Sequence, residues 1–407
     1  MAEAVIVAAA RTPIGRAVKG SLAGVRPDDL AAGVVAAVLE AVPDLDPATL
    51  DDLYVGCAEP RDEHGGNLAR RVAVQLGLDG VPAATVNRFC ASSAQTARMA
   101  FHAIRAGEGD AFVSAGVECV SRYASFGSAG VDAPGSHHPA FAAAAERTAA
   151  IAASNEPWQD PRLDGALPDI YIAMGQTAEN VATRYGITRQ EQDEFGVRSQ
   201  NLAEAAIAAR VFQSEIAPVT LPDATVVALD DGPRAGTTLA GLAGLKPVFR
   251  ADGTVTAGNC CPLYDGAAAV VIMSDTRAAE LGLTPLARIV ATGVSALSPE
   301  IMGMGPVEAT RRALARAGLG VADLDLVEIN EAFAVQVIAS ARELGIDPDR
   351  LNVHGGAIAL GHPFGSTGAR IMTTLLNAMR RRDAQFGLET MCVGGGQGMA
   401  IILERLS

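Results

Sequence analysis

The pattern that opens this chain starts again from Ala287, and that repetition limits the fold more than any other feature. Leu50-Asp-Asp-Leu-Tyr-Val55 returns as Leu324-Asp-Leu-Val-Glu-Ile-Asn330. Cys90-Ala-Ser-Ser-Ala94, which opens a helical pattern, has its counterpart in Gly365-Ser-Thr-Gly-Ala-Arg370, and Phe112-Val-Ser-Ala-Gly116 is matched to Met391-Cys-Val-Gly-Gly395. In both copies short apolar runs alternate with segments of helical period, which calls for an α/β sheet covered by helices. One βα unit used twice accounts for the pattern.

The expected elements of the first copy follow from periodicity. Val5 to Ala10 is a strand, and Asp28 or Asp29 caps a helix with Leu30, Val34, Val35, Val38 and Leu39 on one face. Leu50 to Cys57 leads into a second strand, Asn67 to Leu76 is helical, and Ala83 to Val86 is a strand. After Cys90, Ala97, Ala100, Phe101 and Ile104 recur at helical spacing until Gly107 stops them, and Asp110 to Ala115 is the next strand.

Between residues 122 and 250 the texture changes. The stretch from Ser128 to Pro139 is turn-rich, alanine-dense helical segments follow, and Thr188 with Glu191 forms a capping box. An insertion over the sheet, placed to grip a substrate, fits this region. Thr254 to Asn259 and Gly266 to Met273 then return as short strands, Leu286 to Ala291 is another, and Pro306 to Ala317 is a helix. The division is 1–121 with 251–284, an inserted 122–250, and 285–407.

Composition removes several classes of function. The formal net charge is −14 with no basic run, which argues against nucleic acid and against an anionic membrane as partners. No apolar run reaches spanning length, and Met1 to Ala10 lacks a basic leader and reads as a strand. The six cysteines show no C-x-x-C spacing, so neither a metal site nor a disulfide framework is expected, and reduced thiols in a cytoplasmic protein are. His137 and His138 lack ligand partners at useful spacing and read as a solvated pair. An anionic small substrate would need locally placed arginines, because Lys19 and Lys246 are the only lysines.

The chemistry-bearing residues sit at the ends of repeated elements. Cys90 stands at a strand-to-helix junction, where unpaired N–H groups and the helix dipole favour thiolate and can hold an oxyanion. The duplication would bring that end to meet Gly361-His362-Pro363, Asn330-Glu-Ala-Phe-Ala334 and Cys392-Val-Gly-Gly-Gly-Gln-Gly398. A nucleophile with a base and oxyanion donors is one reading. The other takes Cys90 as an inert core thiol, His362 as a turn cap and Asn330 as a turn former. The glycine run also suggests a dinucleotide loop, but Met399 to Leu403 after it reads as strand. Cys57, Cys119, Cys260 and Cys261 are taken as structural.

Val86-Asn-Arg-Phe-Cys90, Met174-Gly-Gln-Thr-Ala-Glu-Asn180, Asp265-Gly-Ala-Ala-Ala269, Asn330-Glu-Ala-Phe-Ala334, Gly355-Gly-Ala-Ile-Ala-Leu-Gly-His-Pro363 and Cys392-Val-Gly-Gly-Gly396 together resemble the thiolase family, from the first strand to the last. The resemblance implies two βαβαβαββ halves layered α/β/α/β/α with an inserted loop domain that binds coenzyme A. It implies reversible Claisen condensation and thiolytic cleavage of 3-ketoacyl-CoA. Cys90 would carry the acyl group, His362 would take its proton, and Cys392 would move the proton at the α-carbon or on the CoA sulfur. One oxyanion site would use His362 and a water on Asn330, the other the N–H groups of Cys90 and Gly394. CoA would lie across the loop domain with Arg234 near its adenine end, and Met174, Phe249, Ala257 and Phe333 would line the pantetheine tunnel. No metal and no tightly bound cofactor is implied, CoA being substrate or product. A homodimer or homotetramer is the expected assembly.

The chain departs from the family pattern at Cys261 and Gly241, where serines of the CoA site are common. Tyr264 replaces a common Asn or Ser, and Ala173 stands where short-chain biosynthetic members often have His. Two rivals remain at this stage. A ketoacyl-synthase-type condenser would use a second His or Asn in place of Cys392, and a silent acyl-CoA-binding protein would not need all four reactive positions filled.

Overall fold

The computed structural model describes residues 2–124, 137–154 and 156–407; Met1 and most of the turn-rich stretch expected from Ser128 lie outside them. Nine strands carry the architecture: β1 (Ala4–Arg11), β2 (Asp52–Gly56), β3 (Ala83–Val86), β4 (Ala111–Cys119), β5 (Tyr264–Ser274), β6 (Ala287–Ala296), β7 (Leu326–Ile329), β8 (Phe386–Val393) and β9 (Gln397–Arg405). They pair in the order β7-β8-β9-β6-β1-β5-β4-β2-β3, and a tenth strand, Gly15–Arg16, lies on β5. The joint between β6 and β1 is only two pairs long, Val5 with Arg288 and Ile6 with Ala287. The strand order is continuous, but the narrow joint lets each side be described as a sheet.

The two sides share one plan. In the first, β2 is parallel to β3 and β4, and β4 is antiparallel to β5. In the second, β7 is parallel to β8, and β8 is antiparallel to β9. A parallel bridge between Val327 and Leu351 is all that stands for β3 in the second half. Asp51 Oδ2 accepts the N–H groups of Asp110 and Ala111 (2.7 and 2.9 Å), as Asp325 Oδ2 accepts those of Gln385 and Phe386 (2.8 and 2.9 Å). Ala111 thus corresponds to Phe386. The expected match of Phe112 to Met391 is out of register by four residues: Phe112 answers to Gly387, and Met391 to Gly116. Both segments end in small residues, and the sequence alone has no marker of strand depth.

Helices make three layers around these sheets. The helices α1 (Pro27–Glu40) and α2 (Leu68–Gln75) cover one face of the first sheet, burying Val113, Ala115, Ala269 and Val271. Between the sheets run α3 (Ser92–Ala106) and, introduced later in the chain, its counterpart α8 (Thr367–Arg382). Two more helices cover the far side, α6 (Gly305–Ala317) and α7 (Ala334–Leu344), and α7 packs in turn against α4 (Met174–Tyr185) and α5 (Arg189–Ala208). Full burial of one Val, Leu or Ile side chain is worth about 1.5–3 kcal/mol, so these interfaces supply most of the driving force. The middle layer closes because its residues are small. A Cβ on Gly368 would lie 2.2 Å from the Ala94 nitrogen, so α3 and α8 meet backbone to backbone. Ser93 Oγ accepts the Ala369 N–H at 3.0 Å and seals the contact.

Two local expectations are corrected. The first helix starts at Pro27 with Arg26 as its cap residue, and neither Asp28 nor Asp29 caps it. Proline presets φ for the first helical position, and Asp28 instead pairs with Arg26 at 2.9 Å. Thr254 to Asn259 is a set of turns. Glu179 takes the N–H groups of Thr254 and Val255, both at 2.9 Å, and Asn259 Oδ1 takes that of Thr256 at 2.8 Å. Side chains thereby claim the donors that a strand needs. The capping box at Thr188 and Glu191 is present.

The described residues between Cys119 and Tyr264 are fastened to both halves, to the first through Arg11 on Glu215 (2.6 Å) and Asp230 (2.7 Å). Glu300 is one anchor, accepting from Trp158 Nε1 (2.6 Å), Arg147 (2.6 Å) and the Asp169 N–H (2.8 Å). Glu331 is another, accepting from Ser199 Oγ at 2.6 Å.

Candidate active site

Cys90 sits in the single tight turn Phe89–Ala91 between β3 and α3. Phe89 has φ of +44°, held by its N–H to Asn87 Oδ1 (2.8 Å) and by the Arg88 N–H to Ser92 Oγ (2.9 Å). The Arg88 guanidinium reaches Gln95 (3.0 Å) and Gln397 (2.9 Å), and Gln397 Nε2 donates to the Gly394 carbonyl (3.3 Å). The cysteine turn and the glycine turn after β8 are thereby tied together. Glycine is required in the latter, since Gly395 and Gly396 have φ of +73° and +77°. Gly394 packs on the Cys90 turn, where a Cβ on it would lie 3.3 Å from the Phe89 ring, and its N–H acts on the Cys90 thiol.

Cys392, near the end of β8, is wholly buried in an apolar cluster with Phe333 and Val255, against which Phe249, Cys260 and Cys261 pack. Burial pushes the Cys90 thiol up to about 12, against the pull of the Gly394 N–H. Burial also pushes Cys392 well up, and the nearness of Cys90 adds to it. Cys261 interacts with both. Both candidate thiols are therefore protonated at rest, and two thiolates side by side would repel.

His362 is 1% exposed, in a turn that packs against the Cys90 turn. Its Nδ1 lies 2.7 Å from Thr367 Oγ1, and that hydroxyl lies 2.9 Å from the Pro363 carbonyl. A hydroxyl has one proton, which the carbonyl takes. Thr367 then accepts Nδ1–H, and Nε2 keeps its lone pair, an assignment made from the network. Burial, with Arg370 adding its charge, holds the imidazole down to about 3, so it is neutral at neutral pH. Asn330 Nδ2 stands 3.3 Å from Nε2, and Asn330 Oδ1 is buried without a protein donor. Glu331 fixes the Asn330 loop, accepting from Asn352 Nδ2 (2.8 Å) and the Ile358 N–H (3.1 Å).

The expected substrate residues fall into two groups. Met174 begins α4 and is exposed, the Phe249 ring lies flat over Gly175, and Phe249 meets Phe333 edge-on at 6.2 Å. Arg234 donates to the Ala257 carbonyl at 3.3 Å, and both residues are exposed. Phe249 lies in the loop closed by Val248 N–H on the Val255 carbonyl, at 2.9 Å, and Ala257 follows just after it. His137 stacks on Tyr171 with ring centroids 4.0 Å apart, and His138 Nδ1 accepts the Ala140 N–H. Among the described residues no group of three or more His, Cys, Asp or Glu side chains is arranged to hold a metal ion.

Sequence reasoning missed Thr367, Arg88, Gln397 and the closeness of Cys261. The only available signal for Thr367 was a hydroxyl five residues after His362, on a helix start that the duplication had already marked.

Residues 4–276 match the family described as thiolase, N-terminal domain, and residues 283–405 that described as thiolase, C-terminal domain. A 3-ketoacyl-CoA thiolase of Bacillus subtilis is 44% identical, covering 99% of this chain and 100% of its own. An acetyl-CoA acetyltransferase of Pseudomonas aeruginosa is 45% identical, with 100% of both chains covered. A beta-ketoadipyl-CoA thiolase of Acinetobacter baylyi is 43% identical, again over 100% of both. The crystal structure of the Bacillus anthracis acetyl-CoA acetyltransferase matches with a TM-score of 0.87 at 38% identity, covering 100% of this chain and 99% of that one.

Proposed function

We propose that Cys90 is the acylated nucleophile of this chain, which belongs to the thiolase family. It is an acyltransferase that catalyses reversible Claisen condensation and thiolytic cleavage of 3-ketoacyl-CoA. The observation that carries the nucleophile is the Cys90 turn, tied through Arg88 and Gln397 to the Gly394 turn and packed on the His362 turn, with the buried Cys392 thiol beside it. A carrier-protein condenser and a silent acyl-CoA binder are not favoured.

In condensation, His362 Nε2 takes the Cys90 proton as the sulfur attacks the thioester carbonyl. The N–H groups of Cys90 and Gly394 receive the oxyanion. Cys392, protonated at rest, gives its proton to the departing CoA sulfur and becomes the thiolate. That thiolate then removes the α-proton of the second acetyl-CoA. The enolate oxygen is held by protonated His362 and by a water on Asn330 Oδ1. Attack on the acyl group releases Cys90 as thiolate, which recovers its proton from His362. Both thiols and the imidazole end as they began, and thiolysis is the same path reversed.

The resting protonation state has a measurable signature. With a neutral imidazole and a thiol pushed up to about 12, iodoacetamide should inactivate Cys90 at a rate that climbs with pH. The climb should continue without a plateau between about pH 6 and 9. A plateau below neutrality would instead mark a thiolate–imidazolium pair.

Coenzyme A is read as lying along Met174, Phe249, Ala257 and Phe333 with its adenine end toward Arg234, over an inserted domain spanning 122–250. It is substrate and product, and no tightly bound cofactor is needed. Ala173, exposed at the start of α4, leaves room beyond a two-carbon acyl group, which favours degradative use. Cleavage of six-carbon and longer 3-ketoacyl-CoA should match or exceed that of acetoacetyl-CoA in a CoA-dependent rate profile. A collapse from the four-carbon to the six-carbon substrate would make short-chain acetyl transfer the better description.

A homodimer or homotetramer is supported by β3, which ends the sheet order as an uncharged, proline-free edge. A cytoplasmic location is supported by the six free cysteines. No helix of the described residues is long and apolar enough to cross a membrane.

A further inference from the structure

The duplicated halves each possess a cradle of the kind that holds Cys90, and they fill them differently. The reaction site is built from the loop after β7 (Asn330 to Phe333), the end of β8 (Cys392 to Gly394) and the turn before α3. Its counterpart takes the loop after β2 (Gly56 to Glu59), the end of β4 and the turn Phe364–Ser366 before α8. By the register set at Ala111 and Phe386, Glu118 corresponds to Val393 and Cys119 to Gly394. By the two helix starts, Gly365 corresponds to Cys90 and Asn87 to His362.

The counterpart is occupied by an anion from the chain itself. Glu118 is wholly buried, and its Oε2 accepts the N–H groups of Ala58 and Gly365, both at 2.8 Å. Oε1 accepts the Glu59 N–H at 3.2 Å and faces the Cys57 thiol at 3.7 Å. Burial pushes the carboxyl up to about 7 against the downward pull of the N–H groups of Ala58, Gly365 and Glu59. Both oxygens accept, which is the pattern of the carboxylate. No side chain fits at Gly365: a Cβ there would lie 2.6 Å from the Val117 carbonyl oxygen and 2.8 Å from Glu118 Oε2. One half thus has a nucleophile and a short apolar residue, Val393, at the position of the glutamate. The other has Gly365 at the position of the nucleophile and a glutamate that closes it.

We propose that Glu118 is a positioning residue: its carboxylate fills the pseudo-twofold counterpart of the reaction site and, through the Gly365 N–H, sets the His362–Gly365 turn. Gly365 is three residues from His362, in the turn whose start carries the imidazole. Releasing its N–H frees that turn from β4 while leaving the residues assigned to CoA untouched. The proposal rests on the reading of His362 as the base.

The test compares Glu118→Gln and Glu118→Ala with wild type, measuring the rate of acyl-enzyme formation from acetyl-CoA, KM, and circular dichroism. Acylation should fall about 10- to 100-fold in both, as for small misplacements of a reacting group, with KM changed less than about twofold. Formate, which can enter the space left in Glu118→Ala, should restore about tenfold of that loss and should do nothing for Glu118→Gln. Wild-type acylation in both variants overturns the proposal. So does a loss that tracks unfolding in both and does not respond to formate, since the role is then structural. His362→Ala is measured alongside. If it acylates normally, the assignment of the base fails whatever Glu118 does. If it does not acylate while both Glu118 variants do, the positioning role alone fails.

Discussion

Cys90→Ala is expected to form no acetyl adduct from acetyl-CoA and to lose both condensation and thiolysis by about 10⁴-fold or more, as nucleophile deletions do. That corresponds to about 5 kcal/mol of transition-state stabilisation. The fold should survive, because Cys90 lies in a turn held by Asn87, Arg88 and Ser92 through bonds that do not involve its sulfur. The alanine variant keeps the N–H groups of residues 90 and 394 and the neutral His362, so acyl-CoA binding should be unaffected. Intact mass after rapid mixing and a steady-state rate are the two readouts. An adduct on the variant would place the nucleophile elsewhere, with Cys261 the first candidate, since it interacts with both other thiols.

Cys392→Ala should separate the half-reactions. Acylation of Cys90 keeps the base His362 and the oxyanion donors. The CoA sulfur, a weakly basic leaving group, can depart as thiolate without the Cys392 proton, so this half-reaction loses far less than condensation does. What is lost is the group that protonates the leaving sulfur and then removes the α-proton. General acid–base groups are worth about 10²–10⁴ in rate, so condensation should fall by that order while the acyl-enzyme still accumulates. Cys392 is wholly buried in the cluster of Phe333 and Val255, so alanine leaves a small gap. A cost of about 1 kcal/mol in stability is expected and should leave the variant folded.

The repeat, the helix starts and the nearness of Cys90, Asn330, His362 and Cys392 were legible because these residues lie where periodicity breaks, and breaks are what a sequence displays. Cys90 and Gly365 both open helices after short apolar runs, and glycine stops the helix begun at Ser92. What was not legible depended on neighbours distant in sequence. Thr254 to Asn259 has the apolar texture of a strand, but Glu179, some 75 residues earlier, takes its N–H groups. The register of β4 against β8 is set by Asp51 and Asp325, whose role appears only when Ala111 and Phe386 are seen at hydrogen-bond distance. The tautomer of His362 depends on how Thr367 spends one proton. Glu118 carried a faint signal, an acid within the apolar run from Ala111 to Cys119, but nothing in the sequence says which donors it meets.

The division of labour between the two thiols is tested most directly on Cys392→Ala, by following the acetyl adduct and the condensation rate in the same preparation. The account predicts one acetyl group, mapped to the peptide holding Cys90 and formed within about tenfold of the wild-type rate, while acetoacetyl-CoA production falls by about 10²-fold or more. A folded Cys392→Ala protein that condenses at near the wild-type rate would contradict it and leave Cys392 a structural thiol.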